Sequence, residues 1–80
     1  MTDQATVDRI AERLRAKGHW VSDDDRVYEA GAAELLGCST ETLRKWRAAD
    51  TAPVFIRAGR LTYRISAVLE FLASRENRAA

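Results

Sequence analysis

The 80-residue sequence is poor in the residues that carry covalent and metal chemistry. It has one cysteine, one histidine, one methionine and one proline. A single cysteine cannot form an internal disulfide, and we expect Cys38 to be a buried, inert thiol. His19 has no cysteine or second histidine at the spacing of metal ligands, so we expect no metal site.

A catalytic set of residues is also missing from the sequence. The histidine and the cysteine lie far apart, and there is no paired-carboxylate motif and no glycine-rich loop for phosphates. Without a nucleophile, a base and an anion site at workable spacing, the sequence offers no enzyme mechanism. We therefore expect a protein that is not an enzyme and that uses no cofactor.

Long hydrophobic runs are absent as well. No apolar stretch approaches the roughly 20 residues that cross a bilayer. The first residues are acidic and lack the apolar core of a secretion signal. The composition, 46% hydrophobic and 31% charged, is typical of a small globular domain. We expect a cytoplasmic protein with no membrane partner.

The net charge is only +1, but the charges are unevenly distributed. Residues 1–26 carry five basic and six acidic side chains, whereas residues 40–64 carry six basic and two acidic ones. A basic segment inside a near-neutral chain is the electrostatic pattern of nucleic-acid binding. The basic segment over residues 40–64 is therefore expected to contain the binding surface.

Helical periodicity begins near the N-terminus, over residues 3–17. Val7, Ile10 and Leu14 recur there at spacings of three and four, which predicts an amphipathic helix, and Gly18 is a suitable end for it. A helix of about 13 residues is marginal alone in water. We therefore expect it to pack against the core, a second copy of the chain or a partner protein.

Three consecutive aspartates, residues 23–25, interrupt the pattern after this helix. Their carboxylates repel one another and predict a solvated linker. We place a domain boundary there, which divides the chain into an N-terminal helical arm with its linker over residues 1–25 and a second unit over residues 26–74. Residues 75–80 are expected to form a frayed tail.

Two short helices joined by a tight turn are predicted over residues 29–48. The first is apolar and is stopped by Gly37, and Ser39 then caps the second by accepting a hydrogen bond from the amide near Thr42. Two helices joined this closely form a helix-turn-helix, whose second helix is narrow enough to enter the major groove of DNA.

The second of these helices has one apolar and one basic side. A rotation of 100° per residue from Leu43 places Trp46 and Arg47 near the same face, and Arg44 and Lys45 away from it. We expect the leucine and the tryptophan to anchor the helix. The outward arginine and lysine are expected to contact DNA.

A hairpin with arginines near its tip follows. Residues 54–57 and 60–64 predict two strands flanking Ala58 and Gly59, and Ser66 is expected to cap a last helix. Alanine suits a left-handed turn position poorly, so a glycine bulge and a two-residue turn both stay open. A helix-turn-helix followed by a basic hairpin is the pattern of a winged DNA-binding module.

The order of these motifs resembles a known family. The matching residues are the run AAELLGCS over 32–39, Thr42-Leu43-Arg44, Trp46, Pro53, Gly59-Arg60, Tyr63-Arg64, Ser66 and Phe71. This pattern spans about residues 27–73 and is similar to the excisionase/AlpA-like small winged helix-turn-helix family, within the MerR-type superfamily. Its ordered spacing makes the resemblance fairly specific.

The sequence also departs from that family. Tyr28 stands where a helix-capping threonine is usual, Ala67 replaces a common aspartate, and residues 49–51 replace a glycine-bearing turn. The long linking helix of full-length MerR-type regulators is missing, so small-molecule sensing is not implied.

The resemblance implies a winged helix-turn-helix. The N-terminal helical arm, which the periodicity predicts, has no counterpart in that family, and the expected whole is a mostly α fold with one small β-hairpin. The resemblance also implies sequence-specific binding of double-stranded DNA. The first expectation is a recombination directionality factor that binds and bends an attachment site for a site-specific integrase, with cooperative self-association on DNA. The alternatives are a transcriptional regulator of a mobile element, a phage DNA-packaging subunit and a protein-interaction module without DNA binding.

The candidate DNA contacts fall on the second helix and on the hairpin. On the recognition helix they are Thr40, Glu41, Arg44, Lys45 and Arg47. On the hairpin they are Arg57, Arg60 and Arg64, expected at phosphates or in the minor groove. The glutamate would accept from a cytosine amino group or stabilise the helix N-terminus. The expected structural core is Leu36, Leu43, Trp46, Leu69 and Leu72.

Overall fold

The computed structural model describes residues 3–76, and this part of the chain contains four helices and a small antiparallel sheet. The helices are α1 (Gln4–Ala16), α2 (Glu29–Leu36), α3 (Thr40–Ala48) and α4 (Ile65–Ser74), and the strands are β1 (Arg26–Val27), β2 (Ile56–Ala58) and β3 (Arg60–Arg64). The expected mostly helical architecture is confirmed, and the expected hairpin has gained a third strand. None of the helices in residues 3–76 is long and apolar enough to cross a membrane.

Helix α1 forms where the apolar periodicity predicts it. Asp3 caps its N-terminus by accepting a hydrogen bond from the Ala5 amide at 3.2 Å. Gly18, with φ at 90°, follows its C-terminal end. The buried side includes Val7 and Leu14, so the predicted stripe is confirmed.

The N-terminal helix is part of the core and not a separate arm. Its apolar residues Val7, Ile10 and Leu14 belong to one hydrophobic cluster with Leu43 of α3 and Val68 of α4. A helix this short is stable only when its apolar side is covered, and here the core covers it. The expected boundary at residue 25 therefore does not separate two packing units.

The acidic segment after α1 is a hydrogen-bonded turn and not a linker, although Asp23 and Asp24 are exposed to solvent as expected. The Ser22 amide donates to the Arg26 carbonyl at 2.9 Å, and the Arg26 amide donates to the Ser22 hydroxyl at 2.8 Å. Asp25 takes the left-handed conformation, with φ at 62°. The Ser22 hydroxyl, followed by the Arg26 guanidinium, lowers the pKa of Asp24 to about 2. These donors offset the repulsion between neighbouring aspartates.

The sheet has the order β1-β3-β2, so that β3 is its central strand. Val27 of β1 pairs with Tyr63, and Arg57 of β2 pairs with Leu61 on the other side. The third strand brings the acidic turn against the start of α4, where the Ile65 amide donates to the Asp25 carbonyl at 2.9 Å. Helix α4 thus begins at the end of β3, one residue before the expected serine cap.

The sequence left the type of hairpin turn open, and in the structure the hairpin reverses direction at Gly59. Gly59 has φ at 74°, in the left-handed region that glycine adopts without penalty. Ala58 stays inside β2 and pairs with Arg60. The alanine therefore avoids the conformation that suits it poorly. Strand β2 begins at residue 56, two residues later than predicted.

The turn between α2 and α3 follows the predicted capping pattern. Gly37 ends α2 in the left-handed conformation, and the Cys38 amide donates to the Ala33 carbonyl at 3.0 Å. The Ser39 hydroxyl accepts from the Thr42 amide at 3.1 Å. Both predicted caps are confirmed, and they set how closely the two helices follow one another.

An aspartate ends α3 where the family resemblance leads one to expect a glycine. Asp50 is left-handed, with φ at 61°, a conformation that aspartate tolerates better than most residues. The Thr51 amide then donates to the Trp46 carbonyl at 2.8 Å. The sequence departure over residues 49–51 therefore preserves the reversal of the chain.

The predicted core is correct for one residue, partly correct for three and wrong for one. Leu43 is fully buried, while Leu36, Trp46 and Leu69 are partly buried and pack against the core. Leu72 is 37% exposed, because α4 buries Ile65 and Val68 and its last turns run beside a surface groove. The core members that the prediction omitted include Val27, Tyr63, Ile65 and Val68.

The end of the chain is ordered further than predicted. The Arg75 guanidinium lies 4.8 Å from the centre of the Phe71 ring and donates to the Thr51 carbonyl at 3.2 Å. It therefore does not belong to a frayed tail. Residues 77–80 of that expected tail lie outside the described residues.

We expect Leu14→Ala to destabilise the whole domain by about 2–5 kcal/mol, because Leu14 is buried in the shared core. The exposed neighbour Arg13 provides the control, since Arg13→Ala should change stability by no more than about 0.5 kcal/mol. Urea unfolding followed by circular dichroism measures both. Equal, small changes would mean that α1 is not part of the cooperative unit.

We expect Gly31→Ala to destabilise the protein by about 0.5–2 kcal/mol, although alanine is the better helix former. An added Cβ would lie 3.1 Å from the Cβ of Val27, which is fully buried. A Val27→Ala background keeps that Cβ but removes the two methyl groups at 3.5 and 3.6 Å, so residue 27 has room to shift and the penalty should be smaller. Urea unfolding of the four proteins measures the coupling. A stabilised single variant would contradict this packing argument.

Candidate nucleic-acid interface

A surface groove of about 320 Å³ lies where α2, α3 and β3 meet. Its lining residues are Glu29, Ala30, Thr40, Arg44, Arg47, Arg60 and Leu61. The fold thus brings four of the eight expected DNA contacts to one place, namely Thr40, Arg44, Arg47 and Arg60. The other four, Glu41, Lys45, Arg57 and Arg64, are not among the groove residues.

Arg44 and Lys45 lie on the exposed side of α3, as the helical spacing predicts. The Arg44 side chain is 63% exposed, and its Nε donates to Oε1 of Glu29 at 3.3 Å. Within residues 3–76, Lys45 and Glu41 make no ion pair or side-chain hydrogen bond. The two basic residues are neighbours in sequence but differ in how firmly they are held.

Arg47 lies on the inner side of the groove and is less exposed than Arg44, the other arginine of α3. Its Nη1 forms an ion pair with Oε2 of Glu29 and donates to the Tyr63 hydroxyl at 3.2 Å. The side chain is 21% exposed. The cause is the helical spacing itself, since Arg47 lies near the face of α3 that carries Leu43.

A chain of hydrogen bonds therefore runs from the core to the surface through Tyr63, Arg47, Glu29 and Arg44. Burial raises the pKa of Tyr63, and the hydrogen bond to Tyr63 raises the pKa of Arg47 further above its already high value. The tyrosine thus stays protonated and the arginine stays charged at every pH of interest. The Glu29 carboxylate has a permanent cationic partner.

Arg60 of the hairpin is stacked on an aromatic pair. Its guanidinium carbon lies 3.5 Å from the centre of the Tyr28 ring, and Tyr28 stacks on Trp20 with ring centres 4.2 Å apart and an interplanar angle of 12°. At these distances both neighbours cannot share one face, so Tyr28 lies between them. Tyr28 makes no side-chain cap bond to α2. Its place in the fold is therefore a platform for the arginine.

The remaining hairpin arginines have different surroundings. The Arg57 guanidinium lies 5.6 Å from the centre of the Phe55 ring and is exposed. Arg64 lies on the β1 side of the hairpin, 4.0 Å from a carboxylate oxygen of Asp24. Arg64 therefore faces the acidic turn and is separated from the groove residues.

Three residues of this surface were not among the DNA contacts predicted from the sequence: Trp20, Tyr28 and Glu29. The inward position of Arg47 was one available signal, because a half-buried guanidinium needs an acidic partner, and Glu29 begins the neighbouring helix. Tyr28 stood out as a departure from the usual cap. No periodicity indicated that Trp20 and Arg60 would meet at it.

Comparison with protein-family models, with curated proteins and with solved structures finds no match to this chain. In residues 3–76 no group of three or more histidine, cysteine, aspartate or glutamate side chains is placed to hold a metal ion. The proposed function therefore rests on the geometry and charge of the chain's own surface.

We expect Arg47→Ala to destabilise the protein by about 1–3 kcal/mol, because it leaves Glu29 and the Tyr63 hydroxyl without their shared donor. Lys45→Ala, on the same helix but without such partners, should change stability by no more than about 0.5 kcal/mol. Urea unfolding compares the two. Equal effects would mean that the Arg47 contacts contribute nothing to the fold.

Proposed function

We propose that this protein binds double-stranded DNA in a sequence-specific manner as a winged helix-turn-helix. In this proposal α2 and α3 form the helix-turn-helix, α3 enters the major groove, and the β2–β3 hairpin is the wing. The observation that carries the proposal is the groove shared by α3 and β3, because it places the basic side of the helix beside the basic hairpin.

The distribution of unneutralised charge supports a polyanionic partner. Lys45, Arg57 and Arg60 are exposed on α3 and the hairpin and have no carboxylate partner within residues 3–76. Arg44 is exposed beside them and shares the Glu29 carboxylate with Arg47, so that this group keeps a net positive charge. Exposed cations on adjacent elements suit a run of phosphates.

The two elements are proposed to divide the work. Thr40, Arg44 and Lys45 on the first turns of α3 are positioned for base edges and adjacent phosphates. Arg57 and Arg60 on the hairpin are positioned for the backbone or the minor groove. Because Arg60 is stacked on Tyr28, it meets the DNA with less conformational freedom to lose than a free arginine would.

Within DNA binding, the proposed role is that of an excisionase-like recombination directionality factor. The support is the order of motifs over residues 27–73, which resembles that family. A transcriptional regulator of a mobile element uses the same surface and is the second candidate. Since α1 belongs to the core, contacts with an integrase or a second copy would use the folded surface and not a free arm.

We expect salt-sensitive binding to duplex DNA. About four phosphate contacts predict a slope of roughly −3 to −4 for log K against log salt concentration. Fluorescence anisotropy with a labelled duplex of about 30 base pairs measures it. Arg60→Ala should weaken binding to all duplexes alike and reduce the slope by about 1, whereas Lys17→Ala should change neither.

The same titration can contradict the proposal. No binding at about 50 mM salt, or a slope near zero, would remove DNA from the function. Footprinting on duplexes that carry repeated sites, with and without an integrase, then separates the recombination role from the regulatory one. Cooperative occupancy that responds to the integrase supports the first.

A further inference from the structure

We infer that Glu29 is a specificity-determining residue, which orients Arg44 to bind a guanine in the major groove. The inference rests on the proposed DNA-binding function and names a feature of the target. It assigns a role to the first residue of α2, whereas α3 is the helix proposed to enter the major groove of DNA.

Arg44 is held through one nitrogen only. Its Nε donates to Glu29, and its two terminal nitrogens make no hydrogen bond within residues 3–76. Because a guanidinium is planar and rigid, a carboxylate on Nε constrains the direction of the whole group. The terminal nitrogens are left as a pair of parallel donors, which is the arrangement that matches the O6 and N7 acceptors of guanine.

Glu29 is itself held in place. Its other oxygen is paired with Arg47, which donates to the hydroxyl of the fully buried Tyr63. The Glu29 side chain is 20% exposed and lies in the first turn of α2, where the helix dipole favours a negative charge. The orientation of Arg44 is thus set by the core before DNA arrives, which reduces the ordering that binding requires.

The sign of the charge separates this role from general attraction to DNA. A carboxylate beside the binding surface repels phosphates, so Glu29 opposes non-specific binding. Lys45, which has no such partner, is the better phosphate ligand of the two neighbours. The repulsion that Glu29 adds is offset if this residue improves the geometry of one base contact.

The test compares selected sequences across variants. The wild type, Glu29→Gln and Arg44→Ala are each used to enrich a duplex library with about 12 random base pairs. We expect the wild-type motif to contain a guanine that both variants fail to select. Glu34→Gln makes the same charge change on the same helix, at a carboxylate paired with Lys17 and His19, and should select the wild-type motif.

A modified base then tests the contact directly. In the wild-type motif, replacement of that guanine by 7-deazaguanine, which lacks the N7 acceptor, should weaken wild-type binding about five- to a hundredfold. Inosine keeps O6 and N7 and should be bound like guanine. Arg44→Ala should bind all three duplexes alike. Equal sensitivity of Arg44→Ala and wild type to the deaza base would overturn the assignment.

The effect on random DNA distinguishes positioning from a merely structural role. Glu29→Gln should bind random duplexes as well as the wild type or better, because a negative charge is removed, while it loses the guanine. A variant that weakens on every duplex in proportion would show that Glu29 only supports the fold. Thermal unfolding of each variant shows whether it has lost its structure. If Glu29→Gln unfolds, the variant at the exposed Arg44 still tests the guanine contact.

Different outcomes contradict the DNA-binding function and the role of Glu29. If the wild type enriches no motif and binds no duplex at about 50 mM salt, the proposed DNA function is wrong. If the wild type enriches a motif and Glu29→Gln selects the same guanine, DNA binding stands and the role of Glu29 is overturned.

Discussion

The pairing of the Glu29 carboxylate with both Arg44 and Arg47 is the interaction on which the candidate interface depends. It joins the start of α2 to two successive turns of α3, and through Arg47 and the Tyr63 hydroxyl it reaches the central strand of the sheet. Three elements therefore have a common electrostatic contact at the groove. Loss of the carboxylate would leave a half-buried guanidinium without its counter-charge, which is costly in a domain of limited stability.

The third strand and the acidic turn tie the N-terminal segment to the same surface. An 80-residue chain buries a modest share of its surface on folding, and α1 adds Val7, Ile10, Ala11 and Leu14 to the core. Trp20, which follows α1, stacks on Tyr28 beneath Arg60. The chain then turns back over Ser22–Arg26. The N-terminal helix thus stabilises the fold, and the segment after it positions a hairpin arginine.

The proposed interface combines two kinds of arginine. Arg44 and Arg60 are constrained by a carboxylate and by an aromatic ring, respectively, while Arg57 is exposed beside a more distant ring. Constrained cations suit contacts that require direction, and free ones suit phosphates, which are met along the whole duplex.

The sequence by itself determined the features that depend on near neighbours. The apolar stripe of α1, the Gly37 and Ser39 caps, and the outward position of Arg44 and Lys45 all follow from helical spacing or from bonds across a few residues. The tertiary structure decided the inward pairing of Arg47, the addition of β1 to the hairpin, the exposure of Leu72 and the stack on Tyr28. These depend on contacts between residues about 15 to 40 positions apart, such as Arg26 with Thr62 and Glu29 with Arg47. Local periodicity carries no information on which distant side chains will meet, because that is set by how the elements pack.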